Sequence, residues 1–107
     1  MTKIFDEFIK RLDERRYYDA HESIESIWFP RRFEDCDEVR LLKGFINAAV
    51  SFELHKQKKI IASQKVWKNY LKYRPLLYKI DSIHLNRYHS IAQHIQKIKT
   101  HKELGKK

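Results

Sequence analysis

The stretch DEVRLLKGFINAAVSFELHK, residues 37–56, carries the most apolar helical pattern in the chain. One row at helical spacing holds Leu41, Phe45, Ala48, Phe52 and His55. That row is widened by Leu42, Ile46, Ala49 and Val50 until roughly half of the helix circumference is hydrophobic. Because a helix with so wide an apolar face must be covered on several sides, we predict that it is the central element of the fold.

One flank of this helix carries the small residues Gly44, Ala48 and Ser51. A glycine in a helix interior costs about 1 kcal/mol of helix propensity relative to alanine. Close packing by a neighbouring helix would compensate for that cost. The flank therefore predicts a close helix–helix contact.

Four further helices are predicted around the central one. The first begins near residue 2, the second covers about residues 18–28 before Pro30, and the fourth covers about residues 58–73. In the fourth helix the residues expected to face inward are Ile60, Ile61, Trp67, Tyr70 and Leu71. An irregular connection follows, packed by Leu76, Leu77, Ile80 and Ile83, and Asn86 is expected to cap the last helix.

These patterns predict an all-α fold, a compact single-domain antiparallel bundle of about five helices over residues 1–107. The core is expected at about residues 3–99 and a polar tail at 100–107. A composition of 42% hydrophobic residues with only two Gly and two Pro supports a helical domain. No segment has the roughly 18 apolar residues of a membrane span, and the start of the chain lacks a basic region before an apolar block, so we expect a cytoplasmic protein.

Charge is distributed unevenly along the chain. Through Glu38, seven Lys and Arg face eleven Asp and Glu, whereas sixteen basic residues face three acids from Val39 onward. This asymmetry predicts an anionic partner for the second half, or attraction to the protein's own acidic face. One hypothesis is a basic module for nucleic acid or an acidic protein, using Lys58, Lys59, Lys65, Lys68 and Lys72, interleaved with Trp67, Tyr70 and Tyr73 as possible stacking surfaces.

A second hypothesis rests on His21, Glu25 and Trp28, which recur at intervals of four and three and so share one side of the second helix. Glu22 lies about 100° away from His21 on the helical wheel, at the rim of that side. His55 lies in the buried row of the central helix. If the two helices pack together, His21, Glu25 and His55 are expected to converge.

Three interpretations of this cluster are open. Glu25 can accept a hydrogen bond from an imidazole and brace the fold. His21, Glu25 and His55 can instead hold a divalent metal such as Zn²⁺, Mn²⁺ or Fe²⁺ as cofactor. The third interpretation is an organic-ligand pocket with Trp28, His55 and Glu22 as binding residues and His21 and Glu25 as catalytic acid and base.

Several protein classes are disfavoured. The sequence HESIE has Glu25 where the second histidine of a zinc-protease motif should stand, and the chain has neither a P-loop nor a G-x-S-x-G elbow. Cys36 is the single cysteine and lies among carboxylates that disfavour its thiolate, so it is a poor nucleophile. Neither a reaction nor an oligomeric state follows from the sequence.

The order of motifs resembles a prokaryotic all-helical family, domain of unknown function 309, with an H-x-x-x-E-x-x-W signature. The resemblance is carried by FDEFIKRLDERRYYDAHESIESIW, by LLKGFINAAVSFELHK and more faintly by YLKYRPLLYKIDSIHL. It implies a compact antiparallel helical fold with no established activity. The positions that match the family pattern are His21, Glu22, Glu25, Trp28, Gly44 and His55. The chain departs from that pattern at Arg15, where a Gly is common, at Lys43, where Gln is frequent, and at KQKK, where a Gly-Asn turn is usual.

Overall fold

Five α-helices and two short 3₁₀ helices form the secondary structure of residues 2–104, the part of the chain that this computed structural model describes. The α-helices are α1 (Thr2–Asp13), α2 (Tyr17–Trp28), α3 (Asp37–Lys56), α4 (Ile60–Tyr73) and α5 (Leu85–Leu104). The 3₁₀ helices cover Phe29–Arg31 and Arg74–Tyr78. Within these residues there is no strand, so the predicted all-α class is confirmed.

The predicted central helix, α3, packs against α2 and α4 and also touches α5. Its apolar row is fully buried at Leu41, Phe45, Ala48 and Phe52, while His55 at the end of the row is only partly buried. Acidic residues in its first turn and His55 and Lys56 in its last turn complement the helix dipole. The sequence prediction for this helix is confirmed in both its bounds and its position.

The small-residue flank of α3 makes the predicted close contact, and the partner is α4. A Cβ atom added to Gly44 would lie 2.9 Å from the Cβ of Tyr73. Two turns further along α3, the Ser51 hydroxyl donates to the Ser63 carbonyl at 2.8 Å, and the Ser63 hydroxyl donates to the Ser51 carbonyl at 2.7 Å. These reciprocal hydrogen bonds satisfy two buried hydroxyls where the helix backbones approach closely.

Two turns of identical geometry connect α1 to α2 and α3 to α4. Arg15 and Lys58 have φ angles of 62° and 65°. In each turn the residue with positive φ donates its N–H three residues back, and the next residue donates five residues back, to Arg11 in the first turn and Leu54 in the second. This is the Schellman motif, in which glycine is the preferred residue at the left-handed position.

Replacing Lys58 with glycine should therefore raise the free energy of unfolding by about 0.5–1 kcal/mol, because relief of the left-handed strain exceeds the added entropy of the unfolded chain. Urea unfolding followed by circular dichroism measures the change. Lys59, with φ of −92°, is the matched control. Lys59→Gly should lower stability, since glycine there adds only flexibility to the unfolded chain. Equal effects at the two positions would contradict the strain argument.

Some predicted details are wrong. Ile61 is 75% exposed because Trp67 and Tyr70 define the inner face of α4 and Ile61 lies on the opposite side of the helix. Ile83 is 95% exposed rather than packed under the connection. The last helix begins at Leu85, so Asn86 lies inside it and is not its cap. That helix ends at Leu104.

Candidate functional site

His21 and Glu25 lie together on α2, as their spacing predicts. The Nε2 atom of His21 is 3.7 Å from an Oε2 atom of Glu25, and Nδ1 of His21 is 2.9 Å from the Tyr18 carbonyl oxygen. A carbonyl can only accept, so Nδ1 carries a proton and Nε2 of the neutral ring is an acceptor. The pair therefore attracts as a charge pair only when the imidazole is protonated, and Glu25 itself is half-exposed.

Trp28 lines a cavity of about 540 Å³, but the residues that share this cavity differ from those predicted. Its walls include Lys43, Lys72 and Tyr73, whereas His21, Glu22 and Glu25 are not among them. Glu22 is exposed. The predicted pocket with Trp28 as wall and the His/Glu pair as polar contacts is therefore not assembled at this cavity.

His55 is offset from His21 along the axes of α2 and α3. Among the side chains that the structure describes, no three His, Cys, Asp or Glu form a group that could hold a metal ion. The inter-helix register explains why. The Tyr17 and Phe52 rings meet with centroids 5.5 Å apart, and from this contact His21 and His55 lie in opposite directions along antiparallel helices. At 1.5 Å per residue their separation along the helix axis is about 10 Å.

His55 instead lines a cleft of about 900 Å³, which we call the basic cleft. It is bounded by the α1–α2 turn, the α3–α4 turn and the second half of α5. Its basic side chains are Arg15, His55, Lys56, Lys58, His94, Lys97, His101 and Lys102. Asp13 is the one carboxylate among the described residues that line the cleft, and the His94 imidazole contacts it. The cleft thus concentrates positive charge from three parts of the chain.

The floor of the basic cleft is apolar. It is formed by Leu12, Tyr17, Ile60 and Ile98. The ammonium of Lys102 lies 4.6 Å from the centroid of the Tyr17 ring, within the range of a cation–π contact. Burial lowers the pKa of Lys102, and the nearby charges of Arg15 and Lys56 lower it further. A cation in this position gains electrostatic stability from any anion that enters.

The basic surface of α4 is solvent-facing. Lys65, Lys68 and Lys72 are exposed, and residues 54–80 contain no Asp or Glu. Trp67 and Tyr70 are buried in the core, where they cannot stack on bases. The exposed lysines still support the nucleic-acid hypothesis, but Trp67 and Tyr70 do not. Nucleic-acid binding therefore stays a prediction that rests on charge alone.

Part of the charge asymmetry between the two halves of the chain is compensated by ion pairs within the protein. Arg87 on α5 pairs with Asp6 on α1, and His94 pairs with Asp13. Arginines of the first half pair with nearby carboxylates, as Arg31 does with Glu34 at 3.1 Å. Carboxylates of the acidic first half thus pair with part of the positive charge of α5. Among the described residues, no carboxylate is found in contact with the α4 lysines.

Sequence reasoning missed a partly buried polar cluster around Glu38, a residue only 18% exposed. Its carboxylate accepts hydrogen bonds from the Tyr88 hydroxyl at 2.6 Å and the Ser82 hydroxyl at 2.7 Å, and Arg31 lies 3.9 Å away. Burial alone would raise the pKa of Glu38, but these two hydrogen bonds and the charges of Arg31 and His84 outweigh burial and hold the pKa below its ordinary value. Burial and the bond to Glu38 raise the pKa of Tyr88.

Comparison with known protein families matches residues 5–66 to the family described as Domain of unknown function (DUF309). The chain belongs to this family. Neither a curated protein nor a solved structure matches it. The DUF309 match includes His21, Glu25, Trp28 and His55 but ends within α4, so YLKYRPLLYKIDSIHL lies beyond it. The α5 side of the basic cleft also lies outside the DUF309 match. No helix in the described part of the chain is long and apolar enough to cross a membrane.

Proposed function

We propose that this DUF309 domain is a binding domain for an anionic small molecule, which it holds in the basic cleft. The observation that carries the proposal is the charge of the cleft wall. Among the side chains that the structure describes, five Lys and Arg and three His surround one cavity, and the one carboxylate that lines it is already contacted by a histidine. The sequence predicted an anionic partner for the basic second half of the chain, and in this proposal the partner binds in the basic cleft.

The shape of the cleft favours a small molecule. A concave surface lined by charges of one sign focuses the electrostatic field and raises the local concentration of the opposite ion. The cations come from both inter-helix turns and from α5, so an anion inside the cleft contacts them from several directions. His55, a candidate ligand residue from sequence, belongs to this wall.

In this proposal His21 and Glu25 brace α2 and do not act as catalytic groups. The Nδ1–H of His21 is committed to the Tyr18 carbonyl, and the Tyr18 and His21 rings lie 5.0 Å apart. Trp28 is partly buried and packs against the core. These contacts favour the brace interpretation of the cluster over the metal-binding and catalytic ones.

Isothermal titration calorimetry with inorganic pyrophosphate tests the proposal. The double variant Lys58→Gln/Lys97→Gln removes two exposed cations from the cleft, and we expect it to weaken pyrophosphate binding at least tenfold, about 1.4 kcal/mol. Lys65→Gln/Lys68→Gln is the matched control, because it removes the same charge from exposed positions on α4. We expect the control to bind pyrophosphate within about twofold of the unmodified protein.

Equal weakening in both double variants would overturn the proposal, because it would mean that pyrophosphate responds to overall charge. A DNA oligonucleotide supplies the competing outcome. If the oligonucleotide binds the unmodified protein more tightly than pyrophosphate does, and only the α4 variant loses that binding, the nucleic-acid hypothesis replaces ours. Its affinity should then fall steeply between about 50 and 200 mM salt.

A further inference from the structure

We infer that the ligand of the basic cleft is amphipathic, with an anionic head group joined to an alkyl chain. The inference rests on the proposed function, since it concerns the same cleft. The cations specify only the anionic head group of the ligand. The inference adds the part of the ligand that packs against the apolar floor.

The first argument is size. Pockets for organic ligands have volumes of about 300–1,000 Å³. At about 900 Å³ the basic cleft lies near the upper end of that range. A phosphate or pyrophosphate ion would leave most of this volume as water over apolar side chains. A ligand that fills the cleft therefore carries a sizeable body in addition to its charge.

The second argument is the chemistry of the floor. Leu12, Ile60 and Ile98 are aliphatic, and Tyr17 is the one aromatic ring among the described residues that line the cleft. The ammonium of Lys102 lies over that ring. A nucleobase or other flat ligand would stack on Tyr17 only after displacing Lys102, whereas an alkyl chain packs on the aliphatic residues without disturbing it. The floor thus favours an alkyl chain over a flat ring.

The third argument is the position of the charges relative to the floor. Lys102 lies where the cations of the cleft meet its apolar floor. Its ammonium contacts the Tyr17 and Phe52 rings. Arg15 and Lys56 raise the positive potential around it. The Lys56 ammonium also donates to the Arg15 carbonyl at 3.0 Å, which fixes the two turns relative to each other. An anionic head beside Lys102 can therefore have its chain directed along the floor.

The test is a chain-length series measured by calorimetry on the full chain, below the critical micelle concentration. The probes are inorganic phosphate and the butyl, hexyl, octyl and decyl monoesters of phosphate. Affinity should rise about threefold to fourfold for each added methylene until the floor is covered. Octanoate and decanoate form a second arm: tighter binding of the phosphates identifies a phosphate head group, and tighter binding of the carboxylates identifies a carboxylate.

Adjacent isoleucines on α4 provide the matched variants. Ile60 lines the cleft, whereas Ile61 faces solvent on the other side of the helix. Ile60→Ser should reduce the gain per methylene, whereas Ile61→Ser should leave both that gain and pyrophosphate affinity unchanged. Ile98→Ser gives a second floor variant if Ile60→Ser fails to fold by circular dichroism.

The outcomes separate this inference from the proposal on which it rests. Affinity that is independent of chain length, with pyrophosphate binding intact, overturns the alkyl chain and leaves the anion site standing. Tighter binding of adenosine monophosphate than of octyl phosphate also overturns the alkyl chain, in favour of a flat ligand. Failure of every anion to bind overturns both. A gain that Ile60→Ser reduces and Ile61→Ser preserves supports the inference.

Discussion

Replacing Glu38 with alanine should lower the free energy of unfolding by about 2–4 kcal/mol, since it leaves buried polar partners without an acceptor. The Tyr88 hydroxyl is the most affected, because its side chain is completely buried and it donates to the carboxylate at 2.6 Å. Ser82, in the connection before α5, loses the same acceptor. The variant thus loosens the attachment of α3 to both the connection and α5. Urea unfolding measures the loss.

Two variants set the scale for this effect. Glu34 also pairs with Arg31, at 3.1 Å, but it is exposed, so Glu34→Ala should cost at most about 1 kcal/mol. Tyr88→Phe removes one donor and leaves Glu38 with Ser82 and Arg31, which should cost about 1 kcal/mol. If Glu38→Ala cost no more than Glu34→Ala, the buried cluster would not be a source of stability.

The same cluster predicts a loss of stability in acid. The pKa of Glu38 in the folded protein lies below its ordinary value of 4.5. Its ionised carboxylate therefore adds stability that is fully present above that ordinary value and is lost as the pH falls through the lower pKa of the folded state. The stability difference between the unmodified protein and Glu38→Gln should consequently be larger at pH 7 than at pH 3. A difference that stays constant between these two pH values would contradict the assigned direction.

The sequence predicted features that depend on local spacing. The bounds of α3 follow from a single uninterrupted apolar pattern with acids at its start and a basic end, and both bounds are correct. The His21–Glu25 contact is equally local, because residues four apart on a helix are always neighbours. The predicted burial of Ile61 is wrong because its side chain lies on the opposite side of α4 from Trp67 and Tyr70, which face the core.

Features that depend on the register between helices could not be predicted from the sequence patterns. His55 shares an apolar row with Phe52, but whether that row meets His21 depends on how far α2 and α3 are offset. Glu38 bonds to Ser82 and Tyr88, which lie 44 and 50 residues further along the chain. The basic cleft is likewise formed by two turns and α5, and no single segment contains its pattern.

Gly44 is the position where one added side chain should be most damaging to the helix pair formed by α3 and α4. Gly44→Val should lower the free energy of unfolding by about 3 kcal/mol, the upper end of the usual cost of overpacking a core. Even Gly44→Ala should destabilise, although alanine gains about 1 kcal/mol in helix propensity. The reason is that the new Cβ would lie 2.9 Å from the Tyr73 Cβ, which is held by the α4 backbone and cannot rotate away.

Substitutions at Tyr73 show whether the cost of Gly44→Ala comes from contact with the Tyr73 Cβ atom or from the added volume alone. Tyr73→Ala keeps the Cβ atom, so Gly44→Ala should still destabilise the protein in that background. Tyr73→Gly removes the Cβ atom, and there Gly44→Ala should become stabilising by about 1 kcal/mol, because only its helix propensity remains. Urea unfolding of the three single and two double variants, together with the unmodified protein, gives the coupling energies. The same cost for Gly44→Ala in all three backgrounds would mean that the Tyr73 Cβ does not set the approach of the two helices, and that α4 shifts freely against α3.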